Sequence, residues 1–203
     1  MQRSMGLFIY RCSGCGQSIR NTCAQCAAKI ALCAQPHCDD AVVALSYVGL
    51  TRDLMLGFKY RNHRAVATMF AERMLATLRT IPETGRIDVV TWVPTTRERR
   101  VAHGHDQAET LARIVGKSLG VPVRKLLVRE TVGHQTGHSR AQRLVGVALR
   151  ARLMSDPATV LVVDDVVTTG ATMRMAKRAL YLAGAARVVC IAVAATPAPA
   201  RRR

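Results

Sequence analysis

The sequence has no long apolar run. Its longest, residues 188–195, holds eight residues, whereas a membrane-spanning helix needs ~20. Near the start only residues 6–10 form an apolar stretch, shorter than the ~7–15 residues of a secretory signal core. The expectation is a cytoplasmic protein without membrane insertion. Aromatic residues are scarce at 4%, with one Trp, four Tyr and three Phe. Most of them fall in core patterns, which argues against gripping single strands by stacking. Acidic residues are also few, 13 against 30 Lys and Arg, leaving a net charge of +17. Such an excess favours anionic partners: nucleic acid, phosphate-rich ligands or an acidic surface. Only five of the 30 basic residues are Lys, and a GC-rich genome produces the same tilt towards Arg without any function behind it. No G-x4-G-K-[ST] motif occurs, so the chain is not a P-loop protein.

Apolar residues make up 49% of the 203, enough for one full core and a small appendage. Six of the seven cysteines lie between positions 12 and 38. Cys12-x2-Cys15 and Cys23-x2-Cys26 form two knuckles whose four thiolates suit one tetrahedral, structural Zn²⁺. Redox thiols or scattered free cysteines are the alternatives. Cys33 and Cys38 sit at a poorer spacing, and Cys190 lies in an apolar strand pattern.

From Ala41 onward, strand-like and helix-like patterns alternate. Strands are expected at 41–47, 87–93, 121–128, 159–163 and 187–195. Helices are expected from Thr51 to about Lys59, over 64–78, from Asp106 to Leu119 with Gly120 as the stop, and over 171–183 before Gly184. Residues 133–145 show no clean period and read as a loop; 196–203 read as a disordered basic tail. Alternation of this kind predicts a central parallel sheet flanked by helices, with the ligand beyond the carboxyl ends of the strands.

The strongest motif follows the strand at 160–163. Asp164 and Asp165 lead into Val166, Val167, Thr168, Thr169, Gly170, Ala171 and Thr172. The hydroxyls, a glycine that lets backbone N–H groups approach, and a helix N-terminus make a phosphate cradle. The paired carboxylates beside it can accept from vicinal hydroxyls. The combination suits a molecule with phosphate at one end and a diol in the middle.

This stretch closely resembles the phosphoribosyl-pyrophosphate (PRPP) motif of type I phosphoribosyltransferases. The wider order of motifs resembles the ComF family. It runs through the cysteine knuckles, Lys59-Tyr60-Arg61, Val93-Pro94 with its Arg loop, residues 104–109 and residues 135–140. Three positions depart from that family's usual pattern: the 103–107 stretch, His138 and Gly146. The resemblance implies a zinc-ribbon module at 1–40, a phosphoribosyltransferase domain at 41–195 and an α/β fold of type I. It implies that Asp164 and Asp165 hold the ribose hydroxyls as the catalytic pair, and that 166–172 wrap the 5′-phosphate. Thr95, Thr96 and Arg97 match the pyrophosphate loop, while Arg140 and Arg143 lie where a flexible loop closes. Mg²⁺ with PRPP and a link to competence, meaning incoming single-stranded DNA and competence proteins, follow from the same likeness. A non-catalytic DNA-handling factor and a PRPP-sensing regulator are the alternatives. Between residues 97 and 152 stand 12 Lys and Arg against 4 Asp and Glu, more cation than one pyrophosphate needs. The histidines at 103, 105, 134 and 138 are candidates to polarise an acceptor, or else polar surface.

Overall fold

The computed structural model describes residues 12, 15, 24–31, 38–60, 64–96, 98, 101, 104–130 and 148–197. Its centre is a four-stranded sheet of β1 (Val42–Ser46), β2 (Val89–Trp92), β5 (Thr159–Val167) and β6 (Arg187–Ala195), in the order β1-β6-β5-β2. Every pairing in it is parallel. A single parallel bridge from Val90 to Val123 extends the β2 edge. Two further strands, β3 (Leu127–Glu130) and β4 (Ala148–Ala151), form a separate antiparallel pair.

Alternation along the central strands sends side chains to two cores. Leu161, Val163, Ile191, Val193, Val90 and Trp92 meet helices α2 (Gly49–Tyr60), α3 (Arg64–Arg79) and α4 (Gln107–Leu119) on one face. On the other, Val160, Val162, Cys190, Ala192 and Val89 meet α5 (Ala171–Leu182) and Leu126 and Leu127 at the antiparallel pair. A parallel sheet buried on both faces is what the Val-rich runs require. The α3 stripe is Val66, Phe70, Met74 and Leu78, all buried.

Helix ends follow local chemistry. Asp106 caps α4 with Oδ1 accepting from the Glu109 N–H at 3.3 Å, and Gly120 closes it at φ 70°. The helix expected from Thr51 begins two residues earlier. The helix opens at Gly49, and Thr51 is buried inside it. Two elements had no sequence signal. The first is α1 (Ala24–Ala31), whose Ile30 joins the main core. The second is β4, a short strand that exists only by pairing with β3. The expected strand at 121–128 resolves into the Val123 bridge and the start of β3.

The largest difference concerns β5, which continues four residues past Val163 to Val167. Asp164, Val166 and Val167 pair with Ala192, Ala194 and Ala195 of β6. The carboxylates therefore stand on a strand rather than in a loop. Among the described residues no helix is long and apolar enough to cross a membrane.

Candidate functional site

Because the strands are parallel, their carboxyl ends share one edge of the sheet. A cavity of about 470 Å³ opens there. Asp164, Asp165, Val166, Thr168 and Thr172 form one wall, with Pro94 and Thr95 from the end of β2 opposite. An adjoining hollow of about 40 Å³ is lined by 166–173 together with Asp164. Of the residues singled out from sequence, the cavity and hollow unite Asp164, Asp165, Val166, Val167, Thr168, Thr169, Gly170, Ala171, Thr172 and Thr95. Thr96 is half-buried and does not line the cavity. Arg97, Arg140 and Arg143 lie outside the described residues, as do Arg99, Arg100, His103, His134 and His138. His105 packs edge-on against Phe58 with ring centres 5.6 Å apart.

Strand geometry would send neighbouring side chains to opposite sides, yet both carboxylates reach the cavity at the strand's end. Backbone donors hold them: the Asp165 N–H donates to Asp164 Oδ1 at 2.8 Å, and the Val166 N–H donates to Asp165 Oδ1 at 2.7 Å. Burial pushes the Asp164 carboxyl well above the usual carboxylate range, and repulsion from Asp165 adds to it. The Asp165 N–H and the Lys59 ammonium pull the other way.

The loop 168–170 leads into α5 without a side-chain cap on that helix. Gly170 sits at φ 74°, a left-handed conformation natural to glycine. The Thr169 hydroxyl accepts from the Ala171 N–H at 3.4 Å. The remaining first-turn N–H groups, beside hydroxyls, are of the kind that can receive an anion.

Five polar lining residues were not predicted as site residues: Lys59, Tyr60, Asp106, Gln107 and Arg129. Lys59 Nζ lies 2.6 Å from Asp165 Oδ2. Gln107 Nε2 donates to the Lys59 carbonyl at 3.5 Å, a long contact that ties α4 to the end of α2. Asp106 Oδ2 accepts from the Thr95 N–H at 3.1 Å, and Arg129 Nε donates to the Pro94 carbonyl at 3.0 Å. Two charged side chains thus fix the segment after β2. Lys59-Tyr60 was visible as a motif in the resemblance, whereas no pattern marked Arg129.

The cysteine region holds a second cluster. The thiols of Cys12, Cys15 and Cys26 lie within 4.8 Å of one another, with Cys12 and Cys26 buried and Cys15 exposed. Tetrahedral zinc with Zn–S of ~2.3 Å sets sulfurs about 3.8 Å apart, so three soft donors this close fit such a metal. Cys23 and Cys33 lie outside the described residues. Cys38 lines a separate cavity with Asp39, Asp40 and Cys190. Burial pushes the Cys190 thiol up to about 12, as its strand position suggested.

The family described as phosphoribosyl transferase domain matches residues 105–203. No curated protein matches the chain. Similar solved structures include the glutamine PRPP amidotransferase from B. subtilis complexed with ADP and GMP, at 24% identity. It covers 68% of this chain and 30% of that one, with a TM-score of 0.46. The allosteric regulatory enzyme of purine biosynthesis is similar at 20% identity over 68% and 30%, TM-score 0.45. PRPP synthetase from Mycobacterium smegmatis is similar at 20% over 61% and 33%, TM-score 0.35. The chain spans about a third of the length of these proteins. Residues 105–203, just under half of the chain, thus resemble a phosphoribosyl transferase domain. The chain's central parallel sheet with flanking helices is the α/β arrangement of the type I fold.

Proposed function

We propose that the cavity at the carboxyl edge of the sheet binds PRPP with Mg²⁺ and that the chain transfers the phosphoribosyl group to an acceptor, in the manner of a ComF-type protein. One observation carries this reading. A carboxylate pair and an uncapped, hydroxyl-lined helix start meet along a single cavity wall, with Asp164 bordering both the cavity and the phosphate-sized hollow.

In this reading Asp164 and Asp165 accept from the ribose 2′- and 3′-hydroxyls. The N–H groups and hydroxyls of 168–172 receive the 5′-phosphate. The pyrophosphate end points towards Thr95, with Thr96 and Arg97 next in the chain, and Arg140 and Arg143 are assigned to its charge. The bond from ribose C1 to pyrophosphate oxygen breaks, and its electron pair leaves with pyrophosphate. An acceptor lone pair forms the new bond to C1, and the acceptor's proton passes to solvent. The chain's part is to orient the ribose, hold the leaving charge and exclude water. The two carboxylates offer the hard oxygen donors that Mg²⁺ accepts, and the ion, when bound, neutralises pyrophosphate charge. Cys12, Cys15 and Cys26, with Cys23, are assigned to structural Zn²⁺.

The test is calorimetric titration with PRPP and Mg²⁺ beside the double variant Asp164→Asn/Asp165→Asn. Binding by the wild type that vanishes in the variant supports the reading; no wild-type binding refutes it. Pyrophosphate release with a trial acceptor distinguishes an enzyme from a sensor that binds without turnover.

A second reading rests on Arg124, Lys125, Arg150 and Arg152, all exposed around the β3–β4 pair. They offer a cationic surface for single-stranded DNA, in keeping with the competence association. That binding would fall steeply with salt and survive loss of both carboxylates.

A further inference from the structure

Arg174, in the first turn of α5, makes two contacts that face the loop rather than solvent alone. Its Nη1 donates to the Thr169 carbonyl at 3.3 Å and to Asp40 Oδ2. The Asp40 side chain is only 19% exposed. It packs so closely against the loop that a Cβ on Gly170 would lie 2.5 Å from Asp40 Oδ2. Asp40 is 134 residues away in sequence. It belongs to the segment that joins the cysteine region to β1, outside the span 105–203 that the family matches.

These contacts act on one peptide unit. In a trans peptide the carbonyl and the following N–H are held rigidly antiparallel. A guanidinium fixed on the Thr169 carbonyl therefore fixes the direction of the Gly170 N–H. Gly170 has no side chain of its own to stabilise φ 74°, and no side chain caps α5. Within the loop only the long Thr169 hydroxyl contact to the Ala171 N–H is seen, so a firmer restraint comes from outside it. Arg174 supplies it, and Asp40 holds the flexible Arg174 side chain in place by a charge-assisted bond.

We propose that Asp40 and Arg174 are positioning residues for the phosphate cradle, so that the segment leading from the cysteine region completes it. The proposal rests on the reading of 168–172 as the phosphate site. It also predicts a sign that simple electrostatics would reverse. Removing a carboxylate near an anion site should strengthen phosphate binding if charge dominates. If positioning dominates, binding weakens.

The experiment titrates the full chain with PRPP plus Mg²⁺, with ribose 5-phosphate, and with pyrophosphate plus Mg²⁺. It compares wild type, Asp40→Asn, Asp40→Ala and Arg174→Lys, with a thermal melt of each. Asn keeps an oxygen for the guanidinium, so Asp40→Asn should fall between wild type and Asp40→Ala. Asp40→Ala should weaken PRPP and ribose 5-phosphate about tenfold while leaving pyrophosphate unchanged, the scale of one charge-assisted hydrogen bond. Arg174→Lys keeps the charge but loses the rigid, planar guanidinium whose Nη1 meets both partners, and should resemble Asp40→Ala. Equal or tighter ribose 5-phosphate binding by Asp40→Ala overturns the proposal. A proportionate loss for pyrophosphate also overturns it, because that is general loosening. Should Asp40→Ala not fold, Arg174→Lys with wild-type ribose 5-phosphate affinity overturns it alone. A wild type that binds neither sugar phosphate sinks the phosphate-site reading itself.

Discussion

Lys59 Nζ and Asp165 Oδ2 stand 2.6 Å apart across the mouth of the cavity, joining the last turn of α2 to the carboxyl end of β5. Both side chains are largely covered, at 23% and 17% exposure. Lys59 offsets part of the acidic charge of the cavity wall, which carries Asp106, Asp164 and Asp165 against Lys59 and Arg129. A PRPP molecule brings more negative charge to the same space. Lys59→Ala should therefore weaken PRPP binding about tenfold, equivalent to ~1.4 kcal/mol. Lys59→Arg, which keeps the charge, should recover most of it. Titration of the three proteins with PRPP and Mg²⁺ checks this, and equal affinities would show that Lys59 serves only Asp165.

Asp164 links stability to function through its raised proton affinity. The folded state holds the proton more tightly than the unfolded chain does. Between the ordinary carboxylate pKa of 3.8 and the raised value, the folded state binds more protons, so stability falls as pH rises. Burial and repulsion thus set the charged form of Asp164 against stability, and the proposed reading gives that carboxyl its use in holding the ribose. Asp164→Asn removes the charge at little change in shape. It should raise stability by about 1 kcal/mol at pH 7 and abolish PRPP binding, the usual exchange at a strained site. Urea unfolding at pH 7 and calorimetry read the two effects. A variant that loses stability and still binds would contradict the account.

How much of this was legible depends on the distance along the chain at which each feature is encoded. Asp106 and Gly120 bracket α4 because caps are local chemistry, and the run at 187–195 matches β6 because buried parallel strands are continuous in apolar residues. The strand bearing Asp164 and Asp165 was cut short because two carboxylates resemble the start of a loop. They are strand residues because the small Ala192, Ala194 and Ala195 of β6 pair alongside. Lys59 with Asp165, Asp40 with Arg174, and Arg129 with Pro94 are long-range contacts that no periodicity encodes. The motif marked one wall of the candidate cavity, and packing supplied the other polar residues around it.

Asp106 carries two loads with its two oxygens. Oδ1 caps α4, and Oδ2 accepts from the Thr95 N–H that follows β2. Asp106→Ala removes both, with a cap worth ~1 kcal/mol and a hydrogen bond worth a similar amount. The expected loss is about 2 kcal/mol. Asp106→Asn retains an oxygen for the cap and should lose less than half of that. Thermal or urea unfolding of the two variants tests the split. Equal losses would mean that the negative charge, not the geometry, does the holding.

The cysteine cluster gives a prediction with an internal control. Cys12, Cys15 and Cys26 converge within 4.8 Å, and Leu50 of α2 packs on the two buried ones. Thiols gathered this way are deprotonated on a soft divalent metal and protected from reagents. The purified protein should carry about one zinc per chain, and cobalt in its place should show thiolate charge-transfer absorption. Cys26→Ser should lower metal content sharply, and Cys23→Ser should do so if Cys23 closes the shell. Chelation should expose the cluster thiols to a disulfide reagent at pH 7. Cys190 is the control: buried, with its thiol pushed up to about 12, it should stay unreactive before and after chelation as long as the sheet remains folded. Metal content that does not change in Cys26→Ser would remove the cluster from the assignment. Cys190 reacting together with the others would show that chelation unfolds the sheet itself, not the cysteine region alone.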